Sequence, residues 1–314
     1  MEAMWKIAVI GTGGVGGYFG GRLAQLQDEC QVHFVVRGET LQVLKRDGLR
    51  VDSLVGDFHI PPDRCNATDD LASVGPVDLV ITAVKLPLQN GVEAADILAR
   101  AVDKKHVVGG FCKIISYIVK HGHIRHDAAD PTVAFGEVWA SETAPGTLNS
   151  ISDRITKLKD LFEKAQGVKV ELFDDIRVGL WHKFMLICAV SGLGAITRAP
   201  LGVFLGVEET RDLFRQVLFE VAKLAQAQGI ELTDEAAEKL YTYFLGRAES
   251  ERNATSSMQR DIMRGLPSEL EWQVGAVVRK AKALGVPAPA CSLIYAALLP
   301  QELKARGKLA FSIE

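Results

Sequence analysis

Apolar residues follow two different periods along this chain of 314 residues. In the first half, short apolar runs alternate with amphipathic segments, which is typical of buried strands joined by helices. Strands are predicted at 6–10, 32–36, 49–60 (as a pair), 77–85, 107–110, 114–119, 133–137 and 168–173, with helices after the first strand and at 41–48, 92–101 and 155–165. Further helices are predicted at 176–191, 208–228, 233–248, 268–284 and 291–305. We therefore predict an α/β domain over residues 1–173 and an all-helical domain over residues 174–314.

A glycine-rich turn joins the first predicted strand to the first predicted helix, in the run Gly11-Thr12-Gly13-Gly14-Val15-Gly16. Gly11 allows the sharp turn, Gly13 lets the backbone approach a pyrophosphate, and Gly16 lets the helix pack closely on the strand. The helix N-terminus offers unpaired N–H groups and the positive end of a dipole to phosphates. Because the motif follows an apolar strand and opens an amphipathic helix, it predicts a Rossmann-type doubly wound sheet that binds a dinucleotide.

The residue that closes the second predicted strand bears on the choice of cofactor. In this fold that position meets the adenosine ribose. It is occupied by Arg37, and Glu39 follows two residues later. A carboxylate would accept a hydrogen bond from the 2′-hydroxyl of NAD, whereas a guanidinium matches the geometry of the 2′-phosphate of NADP. Arg37 therefore favours NADP, and Glu39 keeps NAD as the alternative.

Composition and charge exclude several classes of protein. Hydrophobic residues make up 48% of the chain and the net charge is −3, so no basic surplus indicates nucleic acid or an anionic membrane. The five cysteines are scattered without a C-x-x-C motif, which is typical of reduced cysteines in a cytoplasmic protein and not of a metal site. The first strand starts almost at Met1 and the longest apolar run is short for a membrane span, so we expect neither a signal peptide nor a membrane partner.

One lysine in the helical half is a candidate proton donor. Lys183 lies in the run Trp181-His182-Lys183-Phe184, at the entrance to a predicted helix that is apolar on nearly every side. Partial burial lowers the pKa of a lysine and makes it a better general acid. The alternative is a lysine whose amine reaches the surface along its own methylene chain. His182 is more typical of a packing or surface residue.

A second polar stretch of the helical half runs from Ser256 to Glu269. Ser268 and Glu271 fit a capping box, so Ser268 is predicted to start a helix with Glu269 in its first turn. A carboxylate there either interacts with the helix dipole or accepts a hydrogen bond from a substrate hydroxyl. Ser257 is a candidate donor to a substrate carboxylate, and Asp261 a candidate structural residue.

Together these residues resemble the ketopantoate reductase (2-dehydropantoate 2-reductase) family over nearly the whole chain. The resemblance rests on residues 11–20, Arg37, Ala83-Val84-Lys85, Leu88-Gln89-Asn90-Gly91, 181–184 and 256–269. It implies a Rossmann-type domain followed by a helical substrate and dimerisation domain. It also implies NADPH-dependent reduction of a 2-oxo acid in pantothenate biosynthesis by a cytoplasmic homodimer.

The resemblance also assigns roles to single residues. Gly11, Gly13, Gly14, Val15 and Gly16 would hold the pyrophosphate, and Arg37 the 2′-phosphate. Lys85 and Asn90 would border the nicotinamide end of the cofactor. The catalytic residues would be Lys183, as general acid, and Glu269, which orients the substrate with Ser257 and Asn90. No metal ligand is implied.

The chain departs from the family pattern in the helix of Lys183. The family often has asparagines one and two turns after the lysine, where this chain has Ile187 and Ser191. This implies a less polar pocket. The alternatives are therefore a reductase of a less polar ketone or imine, and a protein that senses NADPH without turnover.

The second departure is a missing crossover between Lys85 and Leu86. The family has a helix there, and neighbouring parallel strands need a connection of about a dozen residues or more. Because true loss would disconnect adjacent strands, we expect that the sequence omits a segment which the protein contains.

Overall fold

The computed structural model describes residues 4–84, 91–139 and 151–312. The chain divides into two compact units. The first comprises Met1–Gln89 and Ile97–Ile176, and the second comprises Asn90–Asp96 and Arg177–Glu314.

The elements up to residue 176 are strands and helices, as the apolar pattern predicts. The strands are β1 Trp5–Ile10, β2 Cys30–Val35, β3 Leu49–Ser53, β4 Phe58–Ile60, β5 Asn66–Thr68, β6 Leu79–Thr82, β7 Gly109–Lys120, β8 His123–Gly136 and β9 Lys169–Leu172. The helices are α1 Gly14–Ala24, α2 Gly38–Asp47, α3 Leu71–Val74, α4 Ala94–Leu98 and α5 Asp153–Lys164. The two kinds of element do not alternate throughout, because β3, β4 and β5 follow one another directly, as do β7 and β8.

The glycine turn belongs to a parallel sheet of four strands in the order β5-β2-β1-β6. The central strand β1 is buried at Ile7, Ala8 and Val9. The prediction of a parallel α/β domain is therefore confirmed. The run at 77–85, which is apolar almost throughout, was expected to be a buried parallel strand, but β6 is the last strand of the described sheet and Val80 is 49% exposed. Within the described residues, no strand continues the sheet beyond β6.

The remaining strands form a second sheet, which the apolar pattern did not predict. Its order is β4-β3-β8-β7, and β9 pairs with the C-terminal part of β8. The segments predicted as two short strands at 107–110 and 114–119 are one long strand, β7, paired antiparallel with β8. β7 lies at the edge, where Ile115, Tyr117 and Ile118 are about half exposed. Its register shifts at three places between Lys113 and Lys120.

Helix α1 lies between the two sheets, and eight of its residues are buried. Gly16 and Gly20 face the parallel sheet, where an added Cβ would lie 2.7 Å from the Cβ of Ala83 and 2.9 Å from Phe34, respectively. Gly17 and Gly21 face the second sheet, against Ile124 and Phe58. The glycines therefore allow both sheets to approach the helix closely.

The second unit is helical. Its helices are α6 Ile176–Thr197, α7 Leu201–Gly206, α8 Glu208–Gln226, α9 Asp234–Arg247, α10 Ser257–Met263, α11 Val274–Leu284 and α12 Pro289–Ala305. The two short helices α7 and α10 were not predicted. The helix expected to start at Ser268 begins six residues later, at Val274.

Helix α6 passes through the core of the second unit. Phe184, Met185, Cys188, Ala189 and Leu193 are buried in that core. With 22 residues, α6 is long and apolar enough to cross a membrane, although polar residues interrupt its apolar runs. Because 61% of its most apolar window is buried, the helix has the character of a core helix.

We predict that the natural protein contains additional residues between Lys85 and Leu86. The reason is that β6 ends its sheet with Val80 exposed, whereas a strand of a doubly wound sheet is covered on both faces. Peptide mapping of protein from its natural source should find the extra residues, and its intact mass should exceed 34.1 kDa. A peptide that joins Lys85 directly to Leu86 would contradict this prediction.

Candidate active site

The glycine turn has the geometry expected of a phosphate-binding loop. Gly11 has a φ of 92°, a conformation that favours glycine. An added Cβ on Gly13 would meet nothing within 4 Å, so the space above this residue is open to a ligand. Gly14 has a different neighbour, because its added Cβ would lie 2.5 Å from the carbonyl oxygen of Ser116 on β7. Packing therefore requires a glycine at position 14, where the G-x-G-x-x-G motif accepts any residue.

The first backbone N–H groups of α1 have no capping side chain, because the N-cap residue is Gly13. These N–H groups are therefore available to a phosphate. Thr12, inside the turn, is only 8% exposed, and its Oγ1 has no hydrogen-bond partner within the described residues. Buried hydroxyls without a partner are uncommon in folded proteins. The open space over Gly13 and the unsatisfied hydroxyl of Thr12 fit the pyrophosphate of a dinucleotide. Thr12 occupies a position between Gly11 and Gly13 at which the glycine motif accepts any residue, so the motif alone does not indicate this hydroxyl.

Arg37 follows β2 and precedes the first residue of α2. Since β1 and β2 are parallel neighbours with Ile10 opposite Val35, Arg37 and the glycine turn follow the same edge of the sheet. Arg37 is exposed, and its guanidinium has no hydrogen bond or ion pair within residues 4–84, 91–139 and 151–312. Glu39 instead lies 3.3 Å from His121 in the β7–β8 turn. The basic side chain is thus available to a ligand, while the acidic one has a protein partner.

Two predicted residues at the nicotinamide end, Lys85 and Asn90, lie outside the described residues. The structure reaches Ala83, which is buried directly behind Gly11 and Gly16. The glycine turn is therefore packed against the end of β6. In the part of the chain that the structure describes, no group of His, Cys, Asp and Glu could hold a metal ion.

Lys183 lies in the second turn of α6 and is half-buried. Its neighbours Trp181 and Phe184 are buried, with ring centroids 5.5 Å apart in an edge-to-face arrangement. They fix the position of the helix at the lysine. The preceding residue, His182, is exposed. One turn beyond the lysine, Ile187 is half-buried, and Ser191 after it is 2% exposed.

Ser257 is the first residue of α10, and its predecessor Ser256 caps that helix. The hydroxyl of Ser256 accepts a hydrogen bond of 3.1 Å from the backbone N–H of Gln259. Gln259 is buried and donates to the carbonyl of Ala199, which follows α6. The half-buried Ser257 is therefore carried on a short helix fixed to the rest of the unit. Asp261 accepts hydrogen bonds through its backbone carbonyl from Arg264 and Leu266.

Glu269 lies in a turn and not in a helix. The predicted capping box is wrong, because Glu271 does not bond back to Ser268 but accepts a hydrogen bond from Tyr295. The hydroxyl of Ser268 accepts from the N–H of Leu270, which stabilises the turn. Glu269 is 5% exposed, and Gln273 donates to its carboxylate at 3.3 Å.

These features define a dinucleotide-binding protein whose helical half carries a half-buried lysine and a buried carboxylate. The sequence matches the family described as "Ketopantoate reductase PanE/ApbA" over residues 7–86 and 86–139. It matches "Ketopantoate reductase PanE/ApbA C terminal" over residues 175–302. The chain belongs to the ketopantoate reductase family, whose members are NAD(P)-dependent oxidoreductases acting on CH–OH groups.

Similar proteins cover almost the whole chain. A 2-dehydropantoate 2-reductase of Nostoc sp. is 29% identical over 312 residues, with 92% of this chain and 93% of that protein covered. A Bacillus subtilis protein named uncharacterized oxidoreductase YkpB is 30% identical over 316 residues, with 93% and 97% covered. The crystal structure of a PanE/ApbA family ketopantoate reductase from Ralstonia eutropha JMP134 has a TM-score of 0.80 at 28% identity, with 96% and 99% covered.

The same comparisons bear on the connection after β6. The family match is divided at residue 86, next to the point where the sequence lacks a crossover. The alignment with the Nostoc protein spans 312 residues while covering only 92% of this chain, so it includes positions that this chain lacks. Both observations agree with the expectation of an omitted segment.

We predict that Gly13→Ala weakens dinucleotide binding while leaving the fold stable. The added methyl group meets no protein atom but lies where the backbone must approach the pyrophosphate. The loss of an N-cap glycine should lower the free energy of unfolding by about 1 kcal/mol or less. Titration with NADPH and thermal unfolding measure the two effects.

The matched control for Gly13→Ala is Gly206→Ala in α7, where an added Cβ also meets nothing within 4 Å. That variant should bind NADPH as the wild type does. Equal affinity of the Gly13→Ala variant would show that the turn is not the phosphate site.

Proposed function

We propose that this protein reduces a 2-oxo acid to a 2-hydroxy acid with NADPH, in the manner of 2-dehydropantoate 2-reductase. The observation that carries the proposal is the pair Lys183 and Glu269 in the helical unit. Both stand at the motif positions of the family, and neither side chain is fully exposed to solvent. The lysine is half-buried beside an apolar core, and the glutamate is buried in a turn.

NADP is proposed as the cofactor because of Arg37. Its guanidinium is exposed at the end of β2, where the adenosine ribose lies in this fold. A guanidinium offers parallel donors that match phosphate oxygens. Glu39, the residue that would favour NAD, is beside His121 instead. The glycine turn of the first unit would hold the cofactor, Lys85 and Asn90 would border the nicotinamide, and Lys183, Ser257 and Glu269 of the second unit would contact the substrate.

The proposed chemistry divides between cofactor and protein. When bound, the reduced nicotinamide supplies a hydride to the carbonyl carbon. Lys183 donates a proton from Nζ to the carbonyl oxygen, so that an alcohol forms and no free alkoxide builds up. A cation beside the developing negative charge stabilises the transition state more than the ground state. Ser257 would donate to the substrate carboxylate, and Glu269, with Asn90, would accept from a substrate hydroxyl and fix its orientation.

A less polar ketone or imine is the alternative substrate, and Ile187 is the observation that favours it. This half-buried side chain lies one helical turn beyond Lys183, at a position where the family often has asparagine. The apolar side chain of Ile187 cannot hydrogen-bond to a polar substrate group. A polar group that is buried without a hydrogen-bond partner weakens substrate binding, because its desolvation is not compensated.

A substrate panel tests the proposal and separates the alternatives. NADPH oxidation is followed with 2-dehydropantoate and with a series of 2-oxo acids, ketones and imines. Turnover of 2-dehydropantoate supports the proposal, and turnover of less polar carbonyls alone supports the alternative. Tight binding of NADPH without turnover of any compound would indicate a sensor.

We also propose a cytoplasmic homodimer that acts in pantothenate biosynthesis. The family resemblance supports the pathway and the dimer. The five cysteines, all unpaired and four of them buried, support a reducing compartment. Sedimentation of the purified protein tests the oligomeric state.

We predict that Arg37→Ala raises the KM for NADPH by roughly 10-fold or more and leaves the KM for NADH nearly unchanged. The reason is that only NADPH carries the 2′-phosphate, and a charge-assisted hydrogen bond is worth about 1.5–3 kcal/mol. Steady-state kinetics with both cofactors measure the change. The control is Arg46→Ala on α2, the helix that follows Arg37, because the Arg46 guanidinium is exposed and pairs with Asp47. A parallel loss for both cofactors would contradict the assignment.

We predict that Lys183→Ala lowers kcat by roughly 10²–10⁴-fold, the range for loss of a general acid. Binding of NADPH and the melting temperature should change little. Substitution of the exposed neighbour in His182→Ala should leave kcat close to that of the wild type. Retention of most activity in the Lys183→Ala variant would remove this lysine from the mechanism.

A further inference from the structure

A buried carboxylate near the end of α12 holds the turn that carries Glu269. Glu302 is 3% exposed, and both of its carboxylate oxygens lie 3.1 Å from the backbone nitrogen of Ser268. Its Oε2 also accepts a hydrogen bond of 2.5 Å from the hydroxyl of Ser268. Glu302 thus binds the residue directly before Glu269 through both its backbone and its side chain, across 34 positions of sequence.

Arg306 completes this arrangement, which we call the α12 clamp (Glu302 and Arg306 on Ser268). The Nε of Arg306 donates to Glu302 at 2.6 Å, and its Nη2 donates to the carbonyl oxygen of Ser268 at 2.8 Å. The backbone N–H, the backbone carbonyl and the hydroxyl of Ser268 are therefore all held from α12. Glu269 has little freedom at its N-terminal side.

The far side of the turn is also held by α12. Tyr295 donates its phenolic hydrogen to Glu271 at 2.6 Å. Burial of the Tyr295 ring and its hydrogen bond to Glu271 raise the pKa of this phenol to about 12, so it stays protonated and keeps donating. Arg279 pairs with Glu271 and also with Glu93, at 3.1 Å from the latter. Residues on both sides of Glu269 are therefore fixed.

The position of Glu302 is unfavourable for stability alone. It lies in the last turn of α12, where the helix dipole disfavours negative charge, and burial of a carboxylate carries a desolvation cost. The same helix offers a contrast at its other end. Glu220 is buried there and accepts hydrogen bonds from the backbone N–H groups of Ala290 and Cys291, where the dipole favours a carboxylate. Glu220 stabilises a helix, whereas Glu302 fixes a turn.

We infer that Glu302 and Arg306 are positioning residues, which hold Ser268 and thereby aim the buried carboxylate of Glu269 at a polar group of the 2-oxo acid. The inference rests on the proposed function, because it takes Glu269 as a substrate ligand. A turn free to move would lower the fraction of protein able to bind substrate, and the apparent affinity would fall by that fraction.

The experiment compares Glu302→Gln and Arg306→Ala with Glu220→Gln. In Glu302→Gln, the Ser268 N–H faces one amide oxygen and one NH2 group in place of two carboxylate oxygens. In Arg306→Ala, the carbonyl oxygen of Ser268 loses the hydrogen bond from the guanidinium. Both clamp variants should raise the KM for the 2-oxo acid at least 10-fold, change kcat less, and leave the Kd of NADPH within twofold. Amide hydrogen exchange at Leu270 should be at least 10-fold faster. Glu220→Gln removes a buried carboxylate of α8 that binds the N-terminal end of α12, and should lower the melting temperature without moving the KM or the exchange rate at Leu270.

The outcomes separate the two proposals. A KM within twofold of the wild type in folded clamp variants overturns this inference, as does an equal rise of KM in Glu220→Gln. If Glu302→Gln does not fold, Arg306→Ala decides, because the Arg306 side chain is 27% exposed and is the milder change. A wild type without turnover of any carbonyl compound overturns the proposed function and the substrate part of this inference. The exchange rate at Leu270 still decides whether the clamp holds the turn.

Discussion

The close packing of α1 between two sheets is the constraint on which the first unit depends. Gly16 and Gly20 allow the parallel sheet to pack closely on one side of the helix. Gly17 and Gly21 allow the second sheet to pack closely on the other side. A glycine inside a helix costs about 0.5–1 kcal/mol relative to alanine. Burial of the larger residues of α1, such as Tyr18, contributes about 1.5–3 kcal/mol each and offsets that cost. The phosphate-binding geometry follows from the same packing, because it fixes where the helix begins.

The sequence predicted the elements that depend on local pattern. The glycine turn, the parallel neighbours β1 and β2, and the long helices of the second unit were all expected from apolar spacing and glycine position. The second sheet was not, because β7 carries apolar residues on its exposed side and breaks the alternation that marks a half-buried strand. The short helices α7 and α10 are held by contacts with other helices, which leave no periodic signal in six or seven residues.

In the candidate site, too, the residues could be predicted but their partners could not. The order of the motifs was enough to select Arg37, Lys183 and Glu269. The structure places Arg37 at a sheet edge, Lys183 in a helix and Glu269 in a turn. The contact of Ser268 with Glu302 joins segments 34 residues apart, and a capping box three residues away offered a simpler local explanation. Sequence patterns report interactions between residues that are close in the chain, whereas Ser268 is held by the distant carboxylate of Glu302.

The edge strand β7 has a further consequence for the behaviour of the protein in solution. Within the described residues, β7 has a neighbouring strand on one side alone, and an edge of this kind with exposed Ile115 and Ile118 is a template for strand addition and aggregation. The three register shifts bend this edge, and the charged side chains of Lys113 and Lys120 interrupt its apolar surface. Irregular pairing and lysine are the means by which natural sheets discourage strand addition. The irregularities of β7 therefore oppose aggregation of the folded protein through this strand at high concentration.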